Sequence, residues 1–291
     1  PIMGGLMFIV STIVSVIVVL LTDYFMGGNL FAGESIVPNQ LKVKLVAGVF
    51  LALGFGLVGF ADDYIKVVKK RNLGLTEIQK TVLQILVIVV YLFTLYKCGV
   101  NYIFLPYLGI WENAIIFWGL GFIAIYCTVN AVNFTDGVDG LCSSVTATAC
   151  IAFAVCSVIM NFAGMSVVSA ALFGALIGFL MWNWNPSKVI MGDMGSFFLG
   201  GMICSFAYSL DAPWLIVLIG SIYVAEFLSD IIQIIYVKTH NGKRLFKMAP
   251  IHHHFEMCGW KERKIVTIFT LVNALGCAIG LALYWYGVIN R

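Results

Sequence analysis

The sequence predicts an all-α, polytopic integral membrane protein built as a single domain over residues 1–291. Three observations carry this reading. Hydrophobic residues make up 61% of the 291 and charged residues 11%, where a soluble domain carries about 25% charged residues. Mean hydropathy is +0.99, so the chain lacks the polar side chains to cover a water-facing surface. The apolar residues gather into nine stretches, roughly 3–21, 43–60, 81–98, 112–130, 141–161, 165–182, 196–211, 213–237 and 265–287. A helix needs about 20 residues to cross the hydrocarbon of a bilayer, with tolerance from about 17 to 25. Most of the stretches have that reach, and 196–211 falls short unless it starts earlier or tilts. A spanning strand needs only about 10 residues, so the lengths favour helices.

The charges orient the spans. Alternating the stretches across a bilayer puts the segments near 61–80, 131–140, 183–195 and 238–264 on one side. That side holds 13 of the 17 basic residues, which marks it as cytoplasmic. The net charge of +3 is too small to argue for nucleic acid. The eight cysteines lie mostly within apolar runs with no CxxC spacing, as small buried hydrophobes do.

Asp62, Asp63, Asp136, Asp139 and Asp193 all fall at cytoplasmic ends of spans. One such carboxylate reads as an interfacial cap. Five on one face read as a functional cluster, because each is costly there unless paired, hydrated or bound to a cation. The stretch GFADDYIKVVKKRNLGLT, Gly59 to Thr76, places Asp62, Lys66 and Lys70 at i,i+4 spacings on one helical face. Paired carboxylates beside lysines suit a metal and phosphate site, with a capped basic interfacial helix as the plainer reading. NAVNFTDGVDGLCSS, Asn130 to Ser144, supplies Asn130, Asn133, Asp136 and Asp139 among Asp-Gly turns. Such turns free backbone N–H groups for an anion and carboxylates for a cation or a donor-rich base. WNWNPSKVIMGDMGSFFLG, Trp182 to Gly200, sets Asp193 near a helix start, where phosphate is also attracted. Oxygen ligands of this kind suit Mg²⁺, which joins a few carboxylates to substrate phosphates.

A fourth motif, PIHHHFE from Pro250 to Glu256, holds three of the chain's four histidines. His252, His253 and His254 cannot all face one ligand from a regular helix, though a turn or extended segment could present two. Imidazole can donate to phosphate oxygen. A zinc site on these histidines is the competing reading, but neither a cysteine pair nor an HExxH helix accompanies them. Together the motifs point to a phosphate-bearing cytosolic substrate meeting a Mg²⁺ site at the membrane surface, with a second reactant inside the bilayer.

PIMGG at Pro1–Gly5, FADDYIKV at Phe60–Val67, NAVNFTDGVDGL at Asn130–Leu141, MGDMGSFFLG at Met191–Gly200 and PIHHHFE resemble the signature motifs of one family. It is the bacterial phospho-N-acetylmuramoyl-pentapeptide transferases, and the resemblance runs over essentially the whole chain. The aspartate motifs alone fit the wider superfamily of polyprenyl-phosphate sugar-1-phosphate transferases; PIMGG and the triple histidine narrow it. The resemblance implies transfer of phospho-MurNAc-pentapeptide from UDP-MurNAc-pentapeptide to undecaprenyl phosphate. The products are lipid I and UMP, in peptidoglycan synthesis. It also implies Mg²⁺, a homodimer, a ninth family helix that is broken or extended, and a site on the cytoplasmic face of the bacterial inner membrane. The family's ten spans imply a further span ahead of the nine visible here.

By motif match, Asp193 is the expected Mg²⁺ ligand. Asp62 and Asp63 belong to the catalytic centre, with Asp62 the preferred contact of the lipid phosphate. Lys66 and Lys70 are expected on phosphate. Asn130, Asn133, Asp136 and Asp139 belong to the nucleotide and catalytic loop, with Asp139 and the backbone of Gly137 and Val138 on uracil and ribose. Asn183 adds a polar contact. His252 and His253 are expected on pyrophosphate or sugar-phosphate, with His254 supporting the loop. Direct attack by the lipid phosphate and a covalent Asp intermediate both remain open. A related transferase using another UDP-sugar would keep the aspartates and lack PIHHHFE. A transporter would place its carboxylates near mid-span.

Overall fold

Eleven helices and one short hairpin make up the computed structural model, which describes residues 3–28, 30, 38–69, 73–105 and 109–289. The helices are α1 (Gly5–Phe25), α2 (Pro38–Val68), α3 (Glu77–Lys97), α4 (Ala114–Thr135), α5 (Leu141–Ile159), α6 (Ala163–Asn183), α7 (Gly192–Ser209), α8 (Leu215–Ile219), α9 (Ser221–Thr239), α10 (Ile251–Met257) and α11 (Glu262–Ile289). Strands β1 (Ile103–Leu105) and β2 (Gly109–Trp111) pair antiparallel, with Ile103 opposite Trp111. The chain is thus almost entirely helical, and among the described residues the hairpin is the one departure from an all-α expectation. Three-residue strands are too short to show as a period in the sequence.

Seven of the nine expected stretches form helices long and apolar enough to cross a membrane: α1 to α6 and α11. The other two take a different form for physical reasons. In 196–211 the helix starts earlier, at Gly192, and α7 is buried along its whole length from Met194 to Ser209. Its glycines, serines and Asp193 lower its hydropathy, which a helix wrapped by protein tolerates. The run 213–237 is two helices separated at Gly220, and α9 carries Glu226 and Asp230.

Helix α7 is the axis around which the site is assembled. It packs along α2 and also against α4 and α1. The α2–α7 contact depends on small residues. A Cβ at Gly59 would lie 2.2 Å from the Asp193 carbonyl oxygen, and one at Gly201 would lie 2.6 Å from Ala52 Cα. This close approach brings the end of α2 directly over the start of α7. A Gly59→Ala substitution is expected to force the helices apart, costing about 1–3 kcal/mol. Its lower thermal midpoint in detergent should come with lost activity, since Asp62 and Asp63 follow within one turn.

The start of the chain is tied to the same place. Gly4 N–H donates to Ile190 O and Gly5 N–H to Met191 O, each at 2.9 Å. The two glycines of PIMGG therefore fix the backbone that leads into Asp193. At the other end of the bundle Lys44 is buried and pairs with Asp211 at 2.6 Å, clamping α2 to the turn after α7.

Candidate active site

Asp62 and Asp63 are 1% exposed at the last turns of α2, and Asp193 faces them from the first turn of α7. One carboxylate oxygen from each lies within 4.8 Å of the others. Among the described residues this is the only group of three acidic, histidine or cysteine side chains close enough to share a metal ion. Two lysines hold it together. Lys66 Nζ lies 2.5 Å from Asp62, 3.1 Å from Asp193 and 3.7 Å from Asp63. Lys80 Nζ lies 3.1 Å from Asp193 and 3.5 Å from Asp62. Three carboxylates and two ammonium groups leave one net negative charge in a poorly hydrated place, which favours a cation.

Backbone donors fix the carboxylates further. Met194 N–H donates to Asp63 Oδ2 at 3.0 Å, and Leu75 N–H to Asp62 Oδ1 at 2.8 Å. Asn133 Nδ2 donates to Asp193 Oδ1 at 3.1 Å and to Ser196 Oγ at 2.8 Å. The return of the chain that delivers Lys80 has its own local cause. Thr76 and Gln79 form a capping box that starts α3, so Lys80 lies in the first turn, beside Asp62.

The turn after α4 closes one side of the cluster. Burial pushes the Asp136 carboxyl up from its ordinary value; Asp193, Asp63 and Asp139 add to this, and the Gly192 N–H opposes it. An acid held up in the folded state stabilises the fold only at low pH. That contribution is lost as pH rises from the ordinary carboxylate value through the raised one. Asp136→Asn should therefore melt at a higher temperature than the parent at pH 7 without divalent cation. The gain should shrink as pH approaches 4, while activity falls at every pH. Asp139 accepts from Ser187 N–H at 2.8 Å, which ties the turn to the segment after α6.

The three histidines point in three directions. His252 is fully buried, with Nδ1 2.9 Å from Glu226 Oε2 of α9. His253 is partly exposed, and its Nδ1 lies 2.5 Å from Glu256 Oε2. His254 Nδ1 accepts from Lys247 N–H at 3.1 Å. Each ring has a different partner, and among the described residues the three do not form a group spaced to share a metal ion. The short helix α10 that carries them is anchored by Phe255, tilted against Trp260 and edge-on to Phe269.

A family model described as Glycosyl transferase family 4 matches residues 45–211, the part that holds the aspartate cluster. The relatives extend over the histidines as well. The phospho-N-acetylmuramoyl-pentapeptide-transferase of Bacillus mycoides (strain KBAB4) is 40% identical over 287 residues, 97% of this chain and 82% of the relative. That of Clostridium botulinum (strain Alaska E43 / Type E3) is 40% identical over 282 residues, 96% of this chain and 81% of the relative. That of Bacillus thuringiensis (strain Al Hakam) is 40% identical over 287 residues, with coverage of 97% and 82%. The chain belongs to the phospho-N-acetylmuramoyl-pentapeptide transferase family.

Set against the family's motifs, the geometry sorts the expected residues. Asp62, Asp63, Asp193, Lys66 and Asn133 meet in one cluster, with Asp136 and Asp139 on the adjoining turn alongside Gly137 and Val138. Lys70 lies outside the described residues. Asn130 sits deeper in the bundle, exchanging amide bonds with Gln84 at 3.1 and 3.4 Å. Asn183 is buried; its Oδ1 accepts from Ser143 Oγ and its Nδ2 donates to Val189 O, each at 3.0 Å. It braces the segment that leads to Asp193.

Sequence reasoning missed two residues. In the sequence Lys80 reads only as one of the basic residues that orient the spans, and the Thr76–Gln79 capping box alone hints at its fixed position. Glu226 lies within the apolar run 213–237, and a carboxylate there is a readable signal.

Proposed function

We propose that the protein transfers phospho-MurNAc-pentapeptide from UDP-MurNAc-pentapeptide to undecaprenyl phosphate, forming lipid I and releasing UMP. The observation that carries the reading is the meeting of Asp62, Asp63 and Asp193 with Lys66 and Lys80 at one end of a membrane bundle. Family membership supplies the reaction class, and the cluster supplies a place for it. The bias of basic residues supports a cytoplasmic face for this end of the bundle. The short helix α8 and the helix α9 fit a broken crossing, and α7 an enclosed one.

An oxygen of the lipid phosphate attacks the β-phosphorus of the donor. The bond from that phosphorus to the bridging oxygen breaks, and UMP leaves with the electron pair. Charge neutralisation and in-line geometry matter more here than a strong base, because the attacking group is already an oxyanion. Lys66 and Lys80 lie where they can offset the charge of the phosphates. The donor set fits Mg²⁺: clustered hard oxygens and no committed nitrogen or sulfur ligand. Asp193, with Asp62 and Asp63, would hold the ion, which when bound supplies further charge neutralisation at the phosphates.

Direct transfer is favoured over a covalent aspartyl intermediate. Asp62 and Asp63 are each held by a backbone N–H and by Lys66, which suits fixed ligands better than mobile nucleophiles. The turn from Asp136 to Asp139 is the proposed nucleotide contact. His253, part-exposed on Glu256, is the histidine best presented to the donor's phosphates.

The test is product formation by purified protein in detergent with Mg²⁺ and undecaprenyl phosphate. Lipid I, identified by mass, should form from UDP-MurNAc-pentapeptide. A product from UDP-GlcNAc at a comparable rate would move the protein to a neighbouring branch of the superfamily.

A further inference from the structure

The buried histidine of the triple motif has no direct opening to a ligand. His252 is 0% exposed, as is Glu226 behind it. Glu226 Oε2 accepts from His252 on two sides, with Nδ1 at 2.9 Å and the backbone nitrogen at 3.4 Å. The opposite ring nitrogen, Nε2, is buried without a hydrogen-bond partner. It lies against Gly137, where an added Cβ would stand 2.4 Å from Nε2 and 2.9 Å from Cε1. Gly137 is the centre of the Asp136–Asp139 turn and is itself exposed. The ring therefore fills the space directly beneath the turn, and the carboxylate of α9 sets its angle.

We infer that Glu226 is a positioning residue: through His252 it braces the Asp136–Asp139 turn in the shape that receives the nucleotide donor. The inference rests on the proposed reaction and assigns different work to neighbouring histidines. His253 faces the substrate, whereas His252 supports the turn from below. A ring held by one carboxylate on one edge and packed under a glycine on the other has no freedom to rotate without moving the turn. Outer partners of this kind, which orient a residue rather than touch the ligand, typically cost about 10–100-fold when removed.

Four variants test this: Glu226→Leu, Glu226→Gln, His252→Ala and the double variant Glu226→Leu/His252→Ala, with KM measured separately for donor and lipid. Glu226→Leu should raise donor KM by about 10–100-fold and leave lipid KM within about twofold, since the turn is the proposed nucleotide contact. Glu226→Gln keeps an oxygen to accept from Nδ1 and should restore donor KM to within about threefold of the parent. The double variant should be no worse in donor KM than His252→Ala alone, because both changes break one brace. An unchanged donor KM in Glu226→Leu, whether the protein is fully active or only less heat-stable, would overturn the inference. So would additive losses in the double variant. A parent protein that forms no lipid I would instead overturn the proposed reaction and the inference with it, so the two failures are told apart.

Discussion

Asp193→Asn is expected to reduce lipid-dependent UMP release by about 10²–10³-fold while leaving the fold intact. The side chain keeps its size and can still accept a hydrogen bond, so α7 loses no packing. What disappears is a full negative charge shared by Lys66 and Lys80, each 3.1 Å away. Without it the cluster holds two carboxylates and two ammonium groups, and its electrostatic preference for a cation is gone. Raising Mg²⁺ should recover little of the lost rate. Thermal midpoints with EDTA and with Mg²⁺ check the cause directly: the parent should gain stability from the ion and the variant should not.

Lys66→Met should act in the opposite sense on the cation. The ammonium lies within 3.7 Å of all three carboxylates, occupying the electrostatic position that a divalent ion would take. Its loss leaves Asp62 paired with Lys80 alone and Asp63 with no ion pair among the described residues, both carboxylates being 1% exposed. Breaking a buried pair costs about 3–5 kcal/mol; here about 2–3 kcal/mol is expected, because Lys66 is itself 28% exposed and water screens part of the interaction. Mg²⁺ should then stabilise the variant more than the parent, with half-saturation at about tenfold lower concentration. Turnover should still fall by about 10²-fold, since the phosphate loses a neutralising contact. Tighter metal binding joined to lower activity separates this role from simple misfolding.

These two residues also show what was legible in the sequence. The aspartate motifs announced themselves because carboxylates at the ends of apolar runs are expensive, and the i,i+4 spacing of Asp62 and Lys66 survives in a 2.5 Å ion pair. Seven helices followed from run length alone. Helix α7 was less legible because burial inside protein and burial in lipid both ask for apolar side chains; its glycines and serines carried the difference. Lys80 could not be separated from other basic residues of a loop until the capping box placed it. Asn130 reads in sequence like Asn133, yet one bonds Gln84 within the bundle and the other bonds Asp193. Three residues along α4 separate them, nearly one turn, and only the packing of α3 and α7 decides which reaches the cluster. The histidine run fixed the family but not the roles, because the partners Glu226, Glu256 and Lys247 come from three different segments.

The most direct measurement of direct, cation-dependent transfer at this cluster is UMP release from UDP-MurNAc-pentapeptide at enzyme concentrations high enough to see a single turnover. It would be followed with and without undecaprenyl phosphate, in Mg²⁺ and in EDTA. UMP should appear only when lipid and Mg²⁺ are both present. One equivalent of UMP per enzyme in the absence of lipid would contradict it, and would make one of the cluster's aspartates a nucleophile.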